Sequence, residues 1–271
     1  MELKSVNFRK PKIPALLREG FMCIDTHTHT NFSDGKDLSL MLKQCKKKGI
    51  GMAITDHNEI RGAVEALKQN EVPIIPGIEI NSYDGPHFLC YFYNKTELEQ
   101  FHERFIKPNK FFNIRGSVKL TLLEITEKLE DYNCVTCLPH PYGLLWASFP
   151  RAVKMNPENR RVIESVDGIE VISGLQRKIA NKRAHELQVL FDKAPMAGSD
   201  AHGPSDLGNF LTLAKTSNVN DFLDAIRKKQ TIAIGKEKIR QKAIHAGRMF
   251  KRSNEKIGRI IGKRLWKDED I

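Results

Sequence analysis

The sequence has no apolar stretch long enough to cross a bilayer. Its longest runs, Val72-Pro73-Ile74-Ile75-Pro76 and Phe88 to Tyr93, are strand-sized, far short of the roughly 20 residues that a membrane helix needs. Nor is a secretory leader expected. Lys4, Arg9, Lys10 and Lys12 are scattered among prolines near the start, with no apolar core beside them. Nor is there an even set of cysteines. Five are present, mostly in apolar surroundings, so a disulfide framework is not expected and a reducing, cytoplasmic setting is. Cys134-Val-Thr-Cys137 has no second CxxC to complete a zinc knuckle, and its two thiols are expected to be buried strand residues.

What the chain does have is the composition of a globular protein, 40% hydrophobic and 28% charged in 271 residues. Length alone leaves one large α/β barrel and two small domains both open. The net charge of +11 implies a polyanionic partner, and it is unevenly placed. Lys236 to Ile271 carries twelve Lys/Arg against five Asp/Glu, +7 of the +11. Within it Ile239, Ala243, Ala246, Phe250, Ile257, Ile261 and Leu265 recur at three- and four-residue steps with one position skipped, which predicts an amphipathic helical tail. Nucleic acid, an acidic protein and an anionic surface are the partners that such a segment fits.

Upstream, apolar runs alternate with helical periodicity, the signature of an α/β layer or barrel. Strands are expected at Met22–Asp25, Gly51–Thr55, Pro73–Ile80, His87–Tyr93, Asn133–Leu138, Gly168–Ser173 and Pro195–Ser199. Helices are expected at Leu38–Lys48, Ile60–Asn70, Leu120–Tyr132, Gln176–Asp192 and Val219–Gln230, the last capped by Asn218 or Asn220. Residues 96–116 begin with a helical pattern and then lose all period, as an excursion over the barrel would. Asp84-Gly85 is a turn signal that makes the third and fourth strands antiparallel neighbours.

Polar residues gather where these strands end. The first runs Asp25-Thr26-His27-Thr28-His29, and alternation on a strand puts Asp25, His27 and His29 on one face. Paired imidazoles suit zinc, manganese or iron, although His-x-His also occurs on ordinary strand ends. The others decide the matter: Asp56-His57, Glu79, His87, Pro139-His140-Pro141 and Asp200-Ala201-His202 fall at or near strand ends, and the sixth strand carries Glu170. In α/β barrels the C-terminal strand ends form the active face. The antiparallel fourth strand would begin at that same mouth, which accounts for His87.

Asp25-Thr-His-Thr-His29, Ser33-Asp34-Gly35, Ile54-Thr-Asp-His57, Gly77-Ile-Glu79, His87, Pro139-His-Pro141 and Gly198-Ser-Asp-Ala-His202 together resemble the PHP (polymerase and histidinol phosphatase) superfamily of metal-dependent phosphoesterases, over about residues 21–215. The resemblance implies a distorted (β/α)7 barrel over residues 21–235, between an N-terminal extension (1–20) and the basic helical C-terminal extension (236–271). It also implies two to three divalent ions (manganese, zinc or iron). One would lie on His27, His29, Glu79 and Asp200, a second on Glu79, His87 and His140, and a third on Asp34, His57 and His202. Asp34 stands where some members have His. Asp25 and Asp56 are expected to orient imidazoles from behind the ligands.

The same resemblance places Arg177 and Asn181 near the substrate, and Arg115 and Arg177 suit bidentate phosphate binding. His102, His185 and His245 are expected to be packing or surface residues. The activity implied is hydrolysis of a phosphate ester by a metal-activated hydroxide. Asp200 is counted with the catalytic set, and His202 or His57 donates a proton to the leaving alcohol where the third ion is absent. The clustered cations favour nucleotides or oligonucleotide 5′ ends over small phosphates of the histidinol-phosphatase type, and over a non-catalytic metal- or nucleic-acid-binding module. Amidohydrolase barrels share the opening His-x-His, but they usually need a bridging Lys or acid and a different order of histidines.

Overall fold

The seven expected strands are all present, each within three residues of its expected bounds, and three short ones join them. The computed structural model describes residues 3–69, 71–111, 116–144 and 147–236. In chain order the strands are β1 (Val6–Asn7), β2 (Met22–Thr28), β3 (Gly51–Ile54), β4 (Ile74–Asn81), β5 (His87–Phe92), β6 (Cys134–Leu138), β7 (Gly168–Ser173), β8 (Ala194–Gly198), β9 (Phe210–Ala214) and β10 (Ile232–Gly235). The α-helices are α1 (Ile13–Arg18), α2 (Leu38–Lys48), α3 (Arg61–Gln69), α4 (Lys95–Phe101), α5 (Leu122–Leu129), α6 (Phe149–Met155), α7 (Arg160–Ser165), α8 (Lys178–Leu190) and α9 (Val219–Arg227). A π-helical turn, His102–Ile106, extends α4. None of the described helices is long and apolar enough to cross a membrane. The basic tail beyond Lys236 lies outside the described residues.

The sheet runs β1-β10-β9-β2-β3-β4-β5-β6-β7-β8. Pairing is parallel from β2 to β4 and from β6 to β8, and β5 is antiparallel to both of its neighbours. At the mouth the two ends meet: His29 N donates to the Ala201 carbonyl at 2.8 Å and Ala201 N to the His27 carbonyl at 3.2 Å. Lower down, Thr212 Oγ1 accepts from Ala197 N at 2.9 Å. The result is an α/β fold built on a near-closed mixed barrel. The Asp84-Gly85 turn does connect antiparallel strands, with Gly85 at φ +116° and Glu79 opposite Leu89.

Two apolar clusters bracket the barrel wall. Its interior holds Ile24, Ala53, Ile75, Leu89, Tyr91, Val135, Cys137 and Met196, while Met52, Ile54, Ile78, Phe88, Leu138 and Val171 face the surrounding helices. Cys134 belongs to the outer cluster and Cys137 to the inner one, so the CxxC is split across the wall. All five cysteines are free and buried. The interior cluster also contains Phe222, Leu223, Ala225 and Ile226 of α9. That helix, capped by Asn218 accepting from Asp221 N, seals the end opposite the mouth.

The residues set apart as an N-terminal extension contribute β1, which pairs with β10, and α1, whose Leu16 is fully buried. β1, β9 and β10 were not anticipated. At two to five residues they are short apolar runs without a distinguishing period. Removing the plug should show how far the barrel depends on it. Phe222→Ala is expected to cost about 3–5 kcal/mol of unfolding free energy in a urea titration, with manganese bound per folded chain unchanged.

Candidate metal centre

Metal chemistry at the mouth begins with a bulge. β2 slips register against β3 between Asp25 and Thr28, and an extra residue at that point breaks the in–out alternation of a strand. His27 and His29 therefore join the polar cluster at the mouth, whereas Asp25 does not converge with them as strict alternation predicts. Its carboxylate accepts from Ser199 N at 2.9 Å and from Ser199 Oγ at 2.6 Å, and it lies close enough to Cys45 of α2 to perturb that thiol. Burial, only partly offset by the Ser199 hydrogen bonds, pushes the Asp25 carboxyl up to about 7.

Asp56 likewise holds main chain and hydroxyls instead of an imidazole. It accepts from Thr30 N at 2.7 Å, Thr30 Oγ1 at 2.6 Å and Ser33 Oγ at 2.5 Å. These bonds fix the loop that carries Asp34. In the same loop Gly35 passes so close to the His29 carbonyl that a Cβ would stand 2.1 Å from its oxygen.

The orienting role expected of these two acids falls to Glu170 and Asn81. Glu170, carried by the sixth expected strand but given no role from the sequence, lies 3.2 Å from His27 Nδ1 and accepts from His140 N at 2.9 Å. Asn81 Oδ1 lies 2.9 Å from His57 Nδ1. The signal for Glu170 was a lone carboxylate in the middle of the apolar run Gly168–Ser173. Gly198 makes room for it, since a Cβ there would stand 2.4 Å from both Glu170 Oε1 and His27 Cβ.

Glu79 sits at the centre, fully buried. Five imidazoles reach it: His57 Nδ1 at 2.7 Å, His87 Nδ1 at 2.9 Å, His27 Nε2 and His140 Nε2 at 3.2 Å, and His29 Nε2 at 3.5 Å. Asp200 Oδ1 lies 3.0 Å from His29 Nε2, and Asp34 Oδ2 lies 3.3 Å from His202 Nε2. All nine sequence-predicted ligands are therefore brought together. His140 and Asp200 adopt left-handed backbone conformations, with φ of +28° and +50°. For residues other than glycine this costs on the order of 1–3 kcal/mol and is typical of functional sites.

Electrostatics divides the cluster. Burial raises the pKa of a carboxyl, yet His87, His57 and His27 hold Glu79 well below the usual carboxylate range. Asp200, against His27 and His29, and Asp34, against His57 and His202, are held low in the same way. His29 is pushed down to about 4, first by burial and then by the charge of His57. His202 rises to about 9, because its hydrogen bond to Asp34 and the charge of Asp200 outweigh burial. Three ionised carboxylates in a dry site require compensating cations.

The donor atoms fit divalent metals. His27 Nε2, both ring nitrogens of His29 and Glu79 Oε2 are buried and lack hydrogen-bonding geometry to any partner, which is costly for polar atoms unless something else binds them. Four overlapping groups place their donor atoms within 4.8 Å of one another: His29-Asp34-His57-His202, His27-His29-Glu79, His27-His140-Asp200 and His57-Glu79-His87. Oxygen and imidazole donors alone suit hard or borderline divalent ions.

The substrate residues expected from the sequence fare differently. Arg177 is exposed at the N-cap of α8. Asn181 is buried, with Oδ1 accepting from Ser173 N and Nδ2 donating to the Ser173 carbonyl, so it pins the end of β7. Arg115 lies outside the described residues. His102 is buried in the π-helical turn, and His185 stacks edge-on to Phe8.

Residues 25–142 match the family model described as PHP domain, and residues 178–231 match the one described as PHP-associated. An uncharacterized protein of Methanocaldococcus jannaschii is 30% identical over 193 residues, covering 69% of this chain and 68% of that one. The chain belongs to the PHP domain family. It is, by that membership and by its clustered ligands, a metal-dependent phosphoesterase. Two solved structures share this chain's fold at low identity. One is a two-domain Bacteroides vulgatus protein containing a predicted PHP-like metal-dependent phosphoesterase, with a TM-score of 0.59 and 17% identity over 87% of this chain and 69% of that one. The other is the lesion-specific endonuclease of Pyrococcus furiosus, with a TM-score of 0.61 and 19% identity over 79% of this chain and 57% of that one.

If Glu170 fixes the His27 imidazole from behind, Glu170→Gln should weaken manganese affinity about 10–100-fold, the usual effect of removing such a partner. The measurement is isothermal titration of the metal-stripped chain, with an unchanged far-ultraviolet spectrum as the check on folding.

Proposed function

We propose that this PHP barrel hydrolyses nucleotide-type phosphate esters, mononucleotides or the 5′ ends of oligonucleotides. The observation that carries the proposal is Glu79 with five imidazoles within 3.5 Å, flanked by Asp34 and Asp200. Two to three divalent ions, manganese, zinc or iron, would be held by His27, His29, Asp34, His57, Glu79, His87, His140, Asp200 and His202. When bound, such ions supply Lewis acidity toward phosphoryl oxygens and a nucleophile at neutral pH.

The chain's own part is positioning and proton control. His27, His29 and Glu79 are shut off from solvent, whereas Asp34, His57, His87 and Asp200 keep some exposure. A phosphate entering the mouth therefore meets the rim set first. His202 pairs Nδ1 with the Asp200 carbonyl at 2.9 Å and presents Nε2 to Asp34 at 3.3 Å. Where no ion occupies the Asp34–His57–His202 group, its raised pKa keeps it protonated at neutral pH, as a donor to a leaving alcohol must be. The fold shared with a lesion-specific endonuclease and the excess of basic residues support the nucleotide reading. The free thiols support a cytoplasmic setting.

The test is product release by the manganese-loaded chain from a 5′-phosphorylated oligoribonucleotide, from nucleoside mono- and bisphosphates, and from histidinol phosphate, with His29→Ala as control. Turnover on the nucleotide substrates is expected, with His202→Ala lowering kcat about 10²–10⁴-fold, the range for losing a general acid. Turnover on histidinol phosphate alone would replace the nucleotide reading with a small-molecule phosphatase. Tight metal binding with no turnover on anything would replace it with a binding module.

A further inference from the structure

A cavity of about 420 Å³ lies between α3 and the π-helical turn that extends α4. Small-molecule sites usually enclose roughly 300–1,000 Å³. This one is at the mouth end of the barrel. α3 starts there, shortly after the end of β3 that leads to His57. β5 begins at the mouth with His87 and runs away from it, antiparallel to β4, so α4 climbs back to the rim. Lys110, just past the turn, pairs with Val118, whose N donates to the Asn81 carbonyl at the mouth end of β4. Glu59, on the cavity wall, is two positions from His57, at most about 7 Å along an extended chain. Arg61, also on the wall, lies over the Phe32 ring, its Cζ 5.5 Å from the centroid, and Phe32 is in the loop that carries Asp34. The cavity thus adjoins the side of the mouth where Asp34, His57 and His202 gather.

Its lining combines apolar surface, one imidazole and a charged edge. Ile60 and Val64 come from the α3 side, and His102 comes from the π-helical turn. That turn carries one residue more than the α-helical repeat, with Lys107 N donating to the His102 carbonyl at 2.9 Å, a device frequent at functional sites. His102 is only 5% exposed, and neither ring nitrogen has full hydrogen-bonding geometry to a partner. The ring lies against the Asn58 main chain, with Nδ1 3.7 Å from Glu103 Oε1. A buried polar group left in this state is costly, and a ring that no well-formed hydrogen bond holds can turn its edge into the cavity. Burial and the charge of Lys110 push its pKa down, so at neutral pH it offers one N–H and one lone pair. At the edge, Glu59 pairs with Arg61 at 3.0 Å and with Lys110 at 3.4 Å. Two cations share one carboxylate there, which leaves an excess of positive charge on the side nearest His57.

We infer that this cavity is the nucleoside subsite of the phosphoesterase. The base packs on Ile60, Val64 and His102, and the phosphate it carries passes Arg61 and Lys110 toward Asp34, His57 and His202. This rests on the nucleotide reading above and assigns the residues that select a nucleotide over other phosphate esters. A base fits the lining because it is flat and apolar on its faces while its edge sets hydrogen-bond donors beside acceptors, as the neutral imidazole requires. The cations on Glu59 suit the phosphate end of the same molecule. A small aryl phosphate engages the mouth alone, whereas a nucleotide engages mouth and cavity together, so that binding remote from the reacting bond orients the ester. A nucleotide held in the cavity as a separate effector would meet the same lining but would leave selection among substrates untouched.

The test uses the full chain, first stripped of metal, with its isoleucine and valine methyl groups labelled for NMR. Adenosine, guanosine, cytidine and uridine are the probes. At least one of them is expected to move the Ile60 and Val64 methyl resonances, a readout that needs no substitution and no turnover. Val64→Phe, which fills the cavity, should weaken that nucleoside at least tenfold. With manganese restored, the same substitution should raise KM for the corresponding nucleoside 5′-monophosphate at least tenfold with little change in kcat. The ratio of kcat/KM for that nucleotide to kcat/KM for p-nitrophenyl phosphate should fall by a similar factor. Ile60 and Val64 resonances that no nucleoside moves would overturn the inference, even if nucleotides are hydrolysed. An equal loss on both esters would overturn it too, since it would mark a general disturbance of the mouth. So would nucleoside binding that is lost in Val64→Phe while the ratio stays as it was, the result for a separate effector site. Nucleoside binding at Ile60 and Val64 that Val64→Phe abolishes, with no turnover on any ester, would keep the cavity as a nucleoside site and reject the hydrolytic reading.

Discussion

One carboxylate surrounded by imidazoles sets the terms for the rest of this structure. Glu79 is out of contact with water and within 3.5 Å of five ring nitrogens, and Asp34 and Asp200 add two more negative charges at the rim. Each ion buried without a partner costs several kcal/mol even after relaxation. Protons on the imidazoles can supply only part of the balance, because burial and mutual repulsion work against charging them all. His29 is already driven down to about 4. Divalent cations satisfy both demands at once by neutralising the carboxylates and occupying the nitrogen lone pairs. Folding and metal binding are therefore coupled through Glu79.

The barrel meets this demand by departing locally from regular strand geometry. A register slip in β2 turns His27 and His29 into the cluster while Asp25 stays outside it. A second slip, in β7, lies just beyond Glu170, whose carboxylate backs His27 and holds His140 N. His140 and Asp200 take left-handed backbone conformations, and Gly198 and Gly35 let main chain approach where any Cβ would collide. Such departures are tolerated because the surrounding wall is regular and buried on both faces. Bulges next to active sites commonly re-aim side chains in this way.

Much of this was legible in the sequence, for a definite reason. Histidines and acids at the ends of apolar runs are rare enough in combination to mark one face of a barrel, and the Asp84-Gly85 turn revealed the antiparallel strand that places His87 there. What the sequence hid was whatever depends on local register. Strict alternation put Asp25 with His27 and His29, and no pattern announces a bulge. Asn181 was set near a substrate by resemblance alone, but its amide is spent on the Ser173 main chain. Glu170 was visible as a lone acid in an apolar run, yet its role needs the spatial neighbourhood of β2 and β6. The short strands β1, β9 and β10 carry too few residues to show a period, so the path that returns the chain to the mouth was not foreseen.

That return path gives the two ends of the barrel different duties. At the closed end α9 places Phe222, Leu223 and Ile226 into the interior cluster, and the Tyr93 hydroxyl donates to Asp224 at 2.6 Å. This end is apolar and contributes stability through burial, at about 25 cal/mol per Å² of apolar surface. The open end is polar and charged, with strained backbone and ligands that repel one another in the absence of cations. Sealing one end tightly allows the other to hold an arrangement that would not be stable alone. Because β10 runs parallel to β2, it passes from the sealed end toward the open one, so the same sheet that closes on apolar side chains at one end carries the charged ligands at the other.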